Sequence, residues 1–156
     1  MTKISIVSVG RDKQRWVTEG CRHFVRLLSR YARVELETAA ACKRGSSLSP
    51  AEIRRKEALA VRKKLAGRPY FALADDGVAM DSGKFAKWLE KTQVSGRTPL
   101  VLVMGGPYGL DESILKGAER VISLSPLTFS HQLVRLVVLE QLFRAFSIIH
   151  GTDYHK

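Results

Sequence analysis

The residues best suited to chemistry lie in two loops that each follow an apolar run. The first loop, Gly105–Gly109 (GGPYG), comes directly after Leu100–Met104, and the second, Ser125–Thr128 (SPLT), comes after Val121–Leu124. Glycine lets a backbone approach a ligand without a Cβ atom in the way. Loops at the carboxyl ends of neighbouring parallel strands form a ligand crevice. The pattern therefore predicts a binding cleft between the two loops.

The residue types of this cleft favour an uncharged ligand surface over a polyphosphate. The segment from Met104 to Leu115 contains no lysine or arginine, and GGPYG is not the GxGxxG of dinucleotide-binding folds. The sequence also lacks a GxxxxGK[ST] loop and a GxSxG elbow. These features argue against a nicotinamide dehydrogenase, a P-loop nucleotidase and an α/β-hydrolase. They favour a flat cofactor with an adenosine and an apolar part.

Four residues are candidates for the chemistry itself. His131 begins the final predicted helix beside the second loop, Arg144 lies further along that helix, and Tyr154 and His155 belong to the C-terminal tail. A histidine next to a cleft can transfer a proton, and an arginine can position or stabilise an anion. The structural alternatives are a surface histidine, a solvated arginine and a frayed terminus. Proximity to the cleft favours acid–base work and substrate positioning.

Strands and helices alternate along the whole chain. Strands are predicted over 3–9, 34–38, 70–74, 100–104 and 121–124, and helices over 14–32, 50–66, 82–94, 112–119 and 132–150. Runs without polar alternation, such as Leu100–Met104, are typical of parallel strands buried on both faces. The alternation predicts an α/β fold, a mainly parallel sheet with helices on both faces. The length predicts one domain over 1–156, and Asp75-Asp76-Gly77 predicts a turn.

The final predicted helix is apolar on almost every side. A helix of this kind must be buried on most sides, and the sheet of a small domain covers only one of them. A second subunit packed on the remaining side predicts a symmetric homodimer. The alternative is that neighbouring helices of the same chain cover it.

The net charge of +11 predicts a polyanionic partner. Four arginines fall on one side of the first predicted helix, opposite Phe24 and Leu28, and two further cations lie in a glycine-containing loop. A row of guanidinium groups can follow a phosphate backbone, whereas the alternative is an ordinary solubilising face. The candidate RNA-binding residues are Arg15, Arg22, Arg26, Arg33, Lys43 and Arg44.

Cysteine usage and apolar runs predict where the protein works. The two cysteines form no Cys-x-x-Cys pair or Cys/His cluster, so we expect reduced thiols and no metal site. The N-terminal apolar run is too short for a signal peptide, and the final helix carries Arg135, Glu140 and Arg144, which disfavour a membrane span. These features predict a cytoplasmic protein without a membrane partner.

The loops, the final helix and the tail together resemble a known family. VMGGPYGL, ISLSPLTFSHQLVR, LEQLFRAF and the closing Tyr-His pair are similar to the bacterial ribosomal RNA large subunit methyltransferase H family, which belongs to the SPOUT class. The resemblance covers the whole chain. It implies a C-terminal trefoil knot (the α/β-knot fold), S-adenosyl-L-methionine as methyl donor and a homodimer. It also implies methylation at N3 of a pseudouridine of 23S rRNA in the assembled ribosome.

The resemblance also assigns roles by position. It places cofactor contacts at Leu73, Gly105, Gly106, Leu124, Ser125, Pro126, Leu127, Thr128 and Phe129, and catalytic residues at His131, Arg144, Tyr154 and His155. Ser130 departs from the family, which often carries proline there. A rival from another class is a non-catalytic RNA-binding ribosome-assembly factor with the same basic surface. A third interpretation, a small-molecule α/β enzyme, would make that surface incidental.

Overall fold

The computed structural model describes residues 1–43, 45 and 47–156, and within them a five-stranded parallel sheet separates two layers of helices. The sheet order is β2-β1-β4-β3-β5. The elements in chain order are β1 (Thr2–Val9), α1 (Arg15–Leu28), β2 (Ala32–Ala39), α2 (Pro50–Leu65), β3 (Phe71–Ala79), α3 (Ser82–Val94), β4 (Leu100–Met104), α4 (Glu112–Gly117), β5 (Val121–Ser123) and α5 (His131–Ile149). The predicted α/β class is confirmed.

The central strand, β4, is buried on both faces, as its unbroken apolar run predicts. Successive side chains of a strand point to opposite faces. In β4, Leu100 and Leu102 pack in one core with α1, α3 and α5, whereas Val101 and Val103 pack in a second core with α2 and α4. The sheet is therefore covered by three helices on one side and two on the other, among the residues described.

The turn predicted at Asp75-Asp76-Gly77 is wrong, because β3 continues through it to Ala79. The pairing of β3 with β5 is irregular between Leu73 and Val78. A Cβ atom on Gly77 would lie 2.8 Å from the carbonyl carbon of Ile122. Glycine thus lets the two backbones pass closely at the irregularity, so the turn-type residues mark a bend within a strand.

The strands that carry the two loops are not neighbours, which corrects the expected arrangement. β3 lies between β4 and β5, so the segment around Leu73 sits between the two loops. All the strands of the sheet are parallel, and the carboxyl ends of β4 and β5 still lie along one edge. The crevice therefore spans three strands instead of two.

Helix α5 is covered on two flanks by helices of the same chain. A Cβ atom on Gly20 of α1 would come within 2.7 Å of Leu136 Cδ1, so these helices cross closely. On the other flank, Ser82 Oγ of α3 donates to Gln141 Oε1 at 2.9 Å. Leu133 and Val137 stay half-buried. In the described part of the chain, no helix combines the length and apolarity that crossing a membrane requires.

Candidate cofactor and catalytic site

The two loops predicted from sequence line one cleft at the carboxyl edge of the sheet. Its volume is about 670 Å³, within the range of small-molecule and cofactor sites. The lining comes from the middle of β3, the end of β4, both loops and the first turn of α5. Every predicted cofactor contact except Pro126 is part of this lining.

The first loop is a tight turn that only glycine fits at two positions. Gly109 N donates to Gly106 O at 3.0 Å, and Gly109 has a positive φ of 79°. A Cβ atom on Gly105 would lie 2.6 Å from the carbonyl oxygen of Gly109. Glycine at these positions therefore closes the turn and leaves its backbone facing the cleft.

The second loop is fixed to β3 through Asp75. Thr128 Oγ1 donates to Asp75 Oδ2 at 3.0 Å, and Ser123 Oγ lies 2.9 Å from the carbonyl oxygen of Asp75. Within the loop, Leu127 N donates to Ser125 Oγ at 3.0 Å. Asp75 also lines the cleft. The sequence interpretation of Asp75 as a turn residue missed this role; its place directly after the apolar run of strand three was the available signal.

The lining suits a nucleoside that carries an apolar arm better than a polyphosphate. Its described members include no lysine or arginine, and several are apolar, among them Leu73, Met104, Leu124 and Val134. Backbone groups of the two loops are available to hydrogen-bond a base and a ribose. The carboxylate of Asp75 is a negative charge suited to a cationic centre. S-adenosylmethionine, an adenosine joined to a sulfonium, has this combination of properties.

A buried carboxyl group lies behind the first loop. Glu57 of α2 is 5% exposed, its Oε2 accepts from Cys42 N at 3.2 Å, and its Oε1 has no hydrogen-bond partner among the described residues. A Cβ atom on Gly106 would be 3.4 Å from Oε1, so the carboxyl packs against that glycine. Burial raises the pKa of Glu57, and the Cys42 hydrogen bond partly opposes this effect. The sequence interpretation did not single out this acid, which stands in a strongly basic helix.

A buried arginine fixes α5 to the carboxyl end of β1. Arg135 Nη2 donates to the carbonyl oxygens of Val9 and Gly10 at 2.6 Å each, and its Nη1 pairs with Asp12. His131 precedes Arg135 by one helical turn and lines the cleft. The contacts of Arg135 therefore set where the first turn of α5, and His131 with it, meets the cleft.

Two of the predicted catalytic residues meet around an acid that sequence reasoning missed. Arg144 Nε donates to Glu140 Oε1 at 3.1 Å, and the Tyr154 hydroxyl donates to the same oxygen at 3.0 Å. The guanidinium carbon of Arg144 lies 4.8 Å from the centre of the Tyr154 ring. Burial and the Glu140 hydrogen bond raise the pKa of Tyr154. The spacing of Glu140 and Arg144, one helical turn apart, is the feature of the sequence that could have predicted this pair.

A single chain does not bring all four predicted catalytic residues together. Arg144 follows His131 by thirteen residues on one continuous helix, so the two are separated by about 20 Å along its axis. His131 lines the cleft, whereas Arg144 and Tyr154 belong to the cluster near the other end of α5. His155 lies in the exposed tail.

The predicted RNA-binding residues do not form one helical row. Arg15, Arg22 and Arg26 are exposed on α1, but α1 ends at Leu28 and Arg33 belongs to β2, so its predicted place on the helix is wrong. Two of these arginines pair with nearby acids: Arg15 with Glu19 at 2.7 Å and Arg33 with Glu35 at 3.2 Å. Lys43 is exposed, and Arg44 lies outside the described residues.

The sequence is similar to one protein family along almost its whole length. The family described as "Predicted SPOUT methyltransferase" matches residues 2–155. The chain is 37% identical to the ribosomal RNA large subunit methyltransferase H of Acetivibrio thermocellus, with 99% of each chain covered. It is 38% identical to the protein of the same name from Listeria monocytogenes, with 98% of this chain and 99% of that one covered.

Two solved structures share the fold at low sequence identity. A probable methylase family protein of Haemophilus influenzae matches with a TM-score of 0.57 and 10% identity, covering 98% of this chain and 70% of that one. A probable methyltransferase of Bordetella pertussis matches with a TM-score of 0.55 and 11% identity, covering 92% of this chain and 96% of that one. At such identities the likeness concerns the fold alone.

Proposed function

This chain belongs to the SPOUT methyltransferase family, and from that premise we propose that it methylates N3 of a pseudouridine of 23S rRNA in the assembled ribosome. Its relatives at 37% and 38% identity over the full length are named ribosomal RNA large subunit methyltransferase H. The observation that carries the proposal is the glycine-built cleft, which has an adenosyl-compatible lining free of lysine and arginine among the described residues. The trefoil knot of the SPOUT class stays a prediction from family membership.

The cofactor of this family is S-adenosylmethionine, which supplies an electrophilic methyl group when it is bound. In this chain the backbones of the two loops, at Gly105, Gly106 and the lining residues of the segment 124–129, which are all but Pro126, would hold its adenosine part. Leu73 would pack against it from β3, and Asp75 would face the cationic end. By these contacts the residues of the cleft orient the donor and exclude water from it.

The acceptor nitrogen carries a proton and becomes nucleophilic only when that proton leaves. His131 or His155 would accept it at a ring nitrogen, and Arg144 would stabilise the negative charge that develops on the base. Tyr154, held by Glu140 beside Arg144, would help to position the nucleotide. Removal of a general base costs on the order of 10²–10⁴ in rate.

A homodimer accounts for the distance between His131 and Arg144. The outer side of α5 presents half-buried Leu133 and Val137, then Glu140 and Arg144. Two copies of α5 packed antiparallel about a two-fold axis would bring the Arg144 of one subunit towards the His131 of the other. The short tail, with Tyr154 and His155, would then act in the cleft of the partner subunit.

Two measurements test the activity. Calorimetry with S-adenosylhomocysteine should show binding at the cleft, as a non-catalytic assembly factor would not. Mass spectrometry of rRNA from a strain that lacks the gene should show loss of one methylated pseudouridine, restored by the intact gene. Ribosomal RNA as substrate also implies work in the cytoplasm, where ribosomes assemble. A protein that binds no S-adenosylhomocysteine and leaves the rRNA methylation unchanged would refute the proposal.

The choice of base is tested by single-turnover kinetics. His131→Ala and His155→Ala are each compared with the unsubstituted protein under saturating S-adenosylmethionine. The variant that has lost the base should be slower by roughly 10²–10⁴ and should lose the corresponding acidic limb of the pH–rate profile. Near-full rates in both variants would contradict the assignment of a histidine as base.

A further inference from the structure

Helix α2 carries an exposed basic face that the candidate RNA-binding residues above do not include. Its two acids are both engaged elsewhere: the Glu52 side chain accepts from Ser49 N at 2.8 Å in the helix cap, and Glu57 is buried. The cations of this helix are Arg54, Arg55, Lys56, Arg62, Lys63 and Lys64. A face this basic, with both acids of its helix engaged elsewhere, favours a polyanion as its partner.

One flank of α2 borders the cleft. Arg54 Nη1 donates to the carbonyl oxygen of Tyr108 in the first loop at 3.4 Å, and Arg62 Nη2 contacts Ser113 Oγ at the start of α4. Arg55 and Arg62 are seven residues apart, so they lie on the same side of the helix. The Ser113 hydrogen bonds are the main cause of the lowered pKa of Asp111, and the nearby charges of Arg62 and Arg55 add to it.

Tyr108 stands at the rim of the cleft with half of its surface exposed. The turn that carries it is closed by the Gly109–Gly106 hydrogen bond and by the arginine contact to its own carbonyl. The ring is therefore presented on a rigid backbone, and the guanidinium group of Arg54 contacts the carbonyl oxygen of the same residue. An exposed aromatic ring beside cations is the arrangement on which proteins stack unpaired nucleobases.

The arginines of α1 are less well placed for the same task. α1 packs on the opposite face of the sheet from α2. The three arginines of α1 extend about 17 Å along the helix, from Arg15 towards the amino ends of the strands. There Arg33 pairs in register with Lys3, far from the cleft edge. The α2 flank instead adjoins the cleft directly.

We propose that Tyr108, Arg55 and Arg62 form a contact surface for single-stranded RNA next to the acceptor nucleotide. The Tyr108 ring stacks on an unpaired flanking base, and the two guanidinium groups bind the phosphates on either side of it. This inference rests on the proposed function, because it places the acceptor nucleotide in the adjoining cleft.

The test measures RNA binding by fluorescence anisotropy, with a labelled hairpin RNA whose loop is single-stranded. Tyr108→Ala should weaken binding by at least about fivefold, and Tyr108→Phe, which keeps the ring, should bind like the unsubstituted protein. The double variant Arg55→Gln/Arg62→Gln removes the two guanidinium groups of the α2 flank. In that variant the slope of log Kd against log salt concentration should be smaller by about 1.4, because each phosphate contact on a single strand contributes about 0.7 to the slope.

The matched control is Lys84→Gln/Lys87→Gln, which removes the same charge from exposed positions of α3 on the opposite face of the sheet. Its salt slope should equal that of the unsubstituted protein. Equal slopes for the α2 and α3 variants, or unchanged RNA binding by Tyr108→Ala, would overturn the proposal.

Calorimetry with S-adenosylhomocysteine separates this proposal from the proposed function. If the unsubstituted protein binds the nucleoside and the hairpin, and Tyr108→Ala loses affinity mainly for the hairpin, the contact surface is supported. An equal loss of both affinities would assign Tyr108 to the cofactor and overturn the surface. Absence of nucleoside binding by the unsubstituted protein, with normal hairpin binding, would instead count against the proposed methyl transfer.

Discussion

Gly105 is the residue on which the shape of the first loop depends most directly. In Gly105→Ala the new Cβ would lie 2.6 Å from the Gly109 carbonyl oxygen and 2.8 Å from Leu110 N, so the turn must open. We expect S-adenosylhomocysteine affinity to fall by about tenfold or more, because the loop backbone would no longer fit the ligand. Isothermal calorimetry measures this change.

The control for that substitution is Gly83→Ala in the first turn of α3. Among the described residues, a Cβ atom there would meet only Asp81 Oδ1, at 3.4 Å, and alanine is the better helix former. Its nucleoside affinity should match that of the unsubstituted protein. Equal affinities for both alanine variants would show that the first loop does not hold the cofactor.

Glu57 makes the stability of the protein depend on pH. Burial raises its pKa above the ordinary value of 4.5. At a pH between 4.5 and the higher pKa of the folded state, the folded protein therefore keeps a proton that the unfolded chain has released. The stability linked to this group is complete below about pH 4.5 and is lost as pH rises through the folded pKa. Glu57→Gln removes the ionisation. The unfolding free energy of the variant, relative to the unsubstituted protein, should therefore increase as pH rises towards neutrality.

Urea denaturation at a series of pH values measures this difference. The control is Glu90→Gln, at an exposed position of α3, for which the difference should stay flat across the same range. A flat profile for Glu57→Gln as well would mean that the carboxyl gains compensating donors in solution, and the interpretation of Glu57 as an unsatisfied buried acid would be wrong.

At the scale of elements, α5 depends on the contacts of Arg135 with the end of β1. In Arg135→Met the carbonyl groups of Val9 and Gly10 lose their donor and Asp12 loses its ion pair. Breaking a buried pair by removal of one partner typically costs about 3–5 kcal/mol. Urea denaturation should show a loss of this order, whereas Arg22→Met on exposed α1 should change stability by less than about 0.5 kcal/mol. Losses of equal size in both variants would contradict the role of Arg135 in fixing α5 to the end of β1.

The helices also show how far periodicity predicts element boundaries. α2 begins where the Ser49–Glu52 capping box predicts, since that signal is local and both of its hydrogen bonds form. The end of α1 was predicted four residues too late. The chain turns after Leu28, where Tyr31 N donates to the Leu28 carbonyl, and this turn carries Arg33 onto β2. The pairing of β2 with β1 overrides the local helical pattern.

At the scale of the whole molecule, the separation of His131 from Arg144 makes the dimer testable. Mixed dimers are prepared from one subunit that lacks residues 154–156 and one that carries Gly105→Ala. If the tail acts in the partner's cleft, each heterodimer contains one complete site. In that site the intact cleft of the subunit without a tail meets the intact tail of the other subunit. Heterodimers should then have roughly half of the activity of the unsubstituted dimer, because one of their two composite sites is intact.

Single-turnover methylation of ribosomes measures this activity, and each damaged homodimer serves as its own inactive control. Complete inactivity of every heterodimer would rule out a tail that acts across the interface. Monomeric protein in sedimentation analysis at working concentrations would also contradict the shared site.

The sequence by itself determined the α/β class, the parallel character of the sheet and the loops that line the cleft. These features follow from local patterns: unbroken apolar runs at Leu100–Met104, capping residues such as Ser49, and glycines directly after a buried strand. The family resemblance supplied the cofactor and the acceptor, which no periodicity encodes.

Only the tertiary structure decided which residues meet. It placed β3 between β4 and β5, made Asp75 an anchor of the second loop, and put Glu57 behind Gly106. It also separated His131 from Arg144 and brought Glu140 to Arg144 and Tyr154. Strand order and side-chain contacts between distant segments depend on long-range packing, whereas hydrophobic period and turn chemistry report only neighbours along the chain.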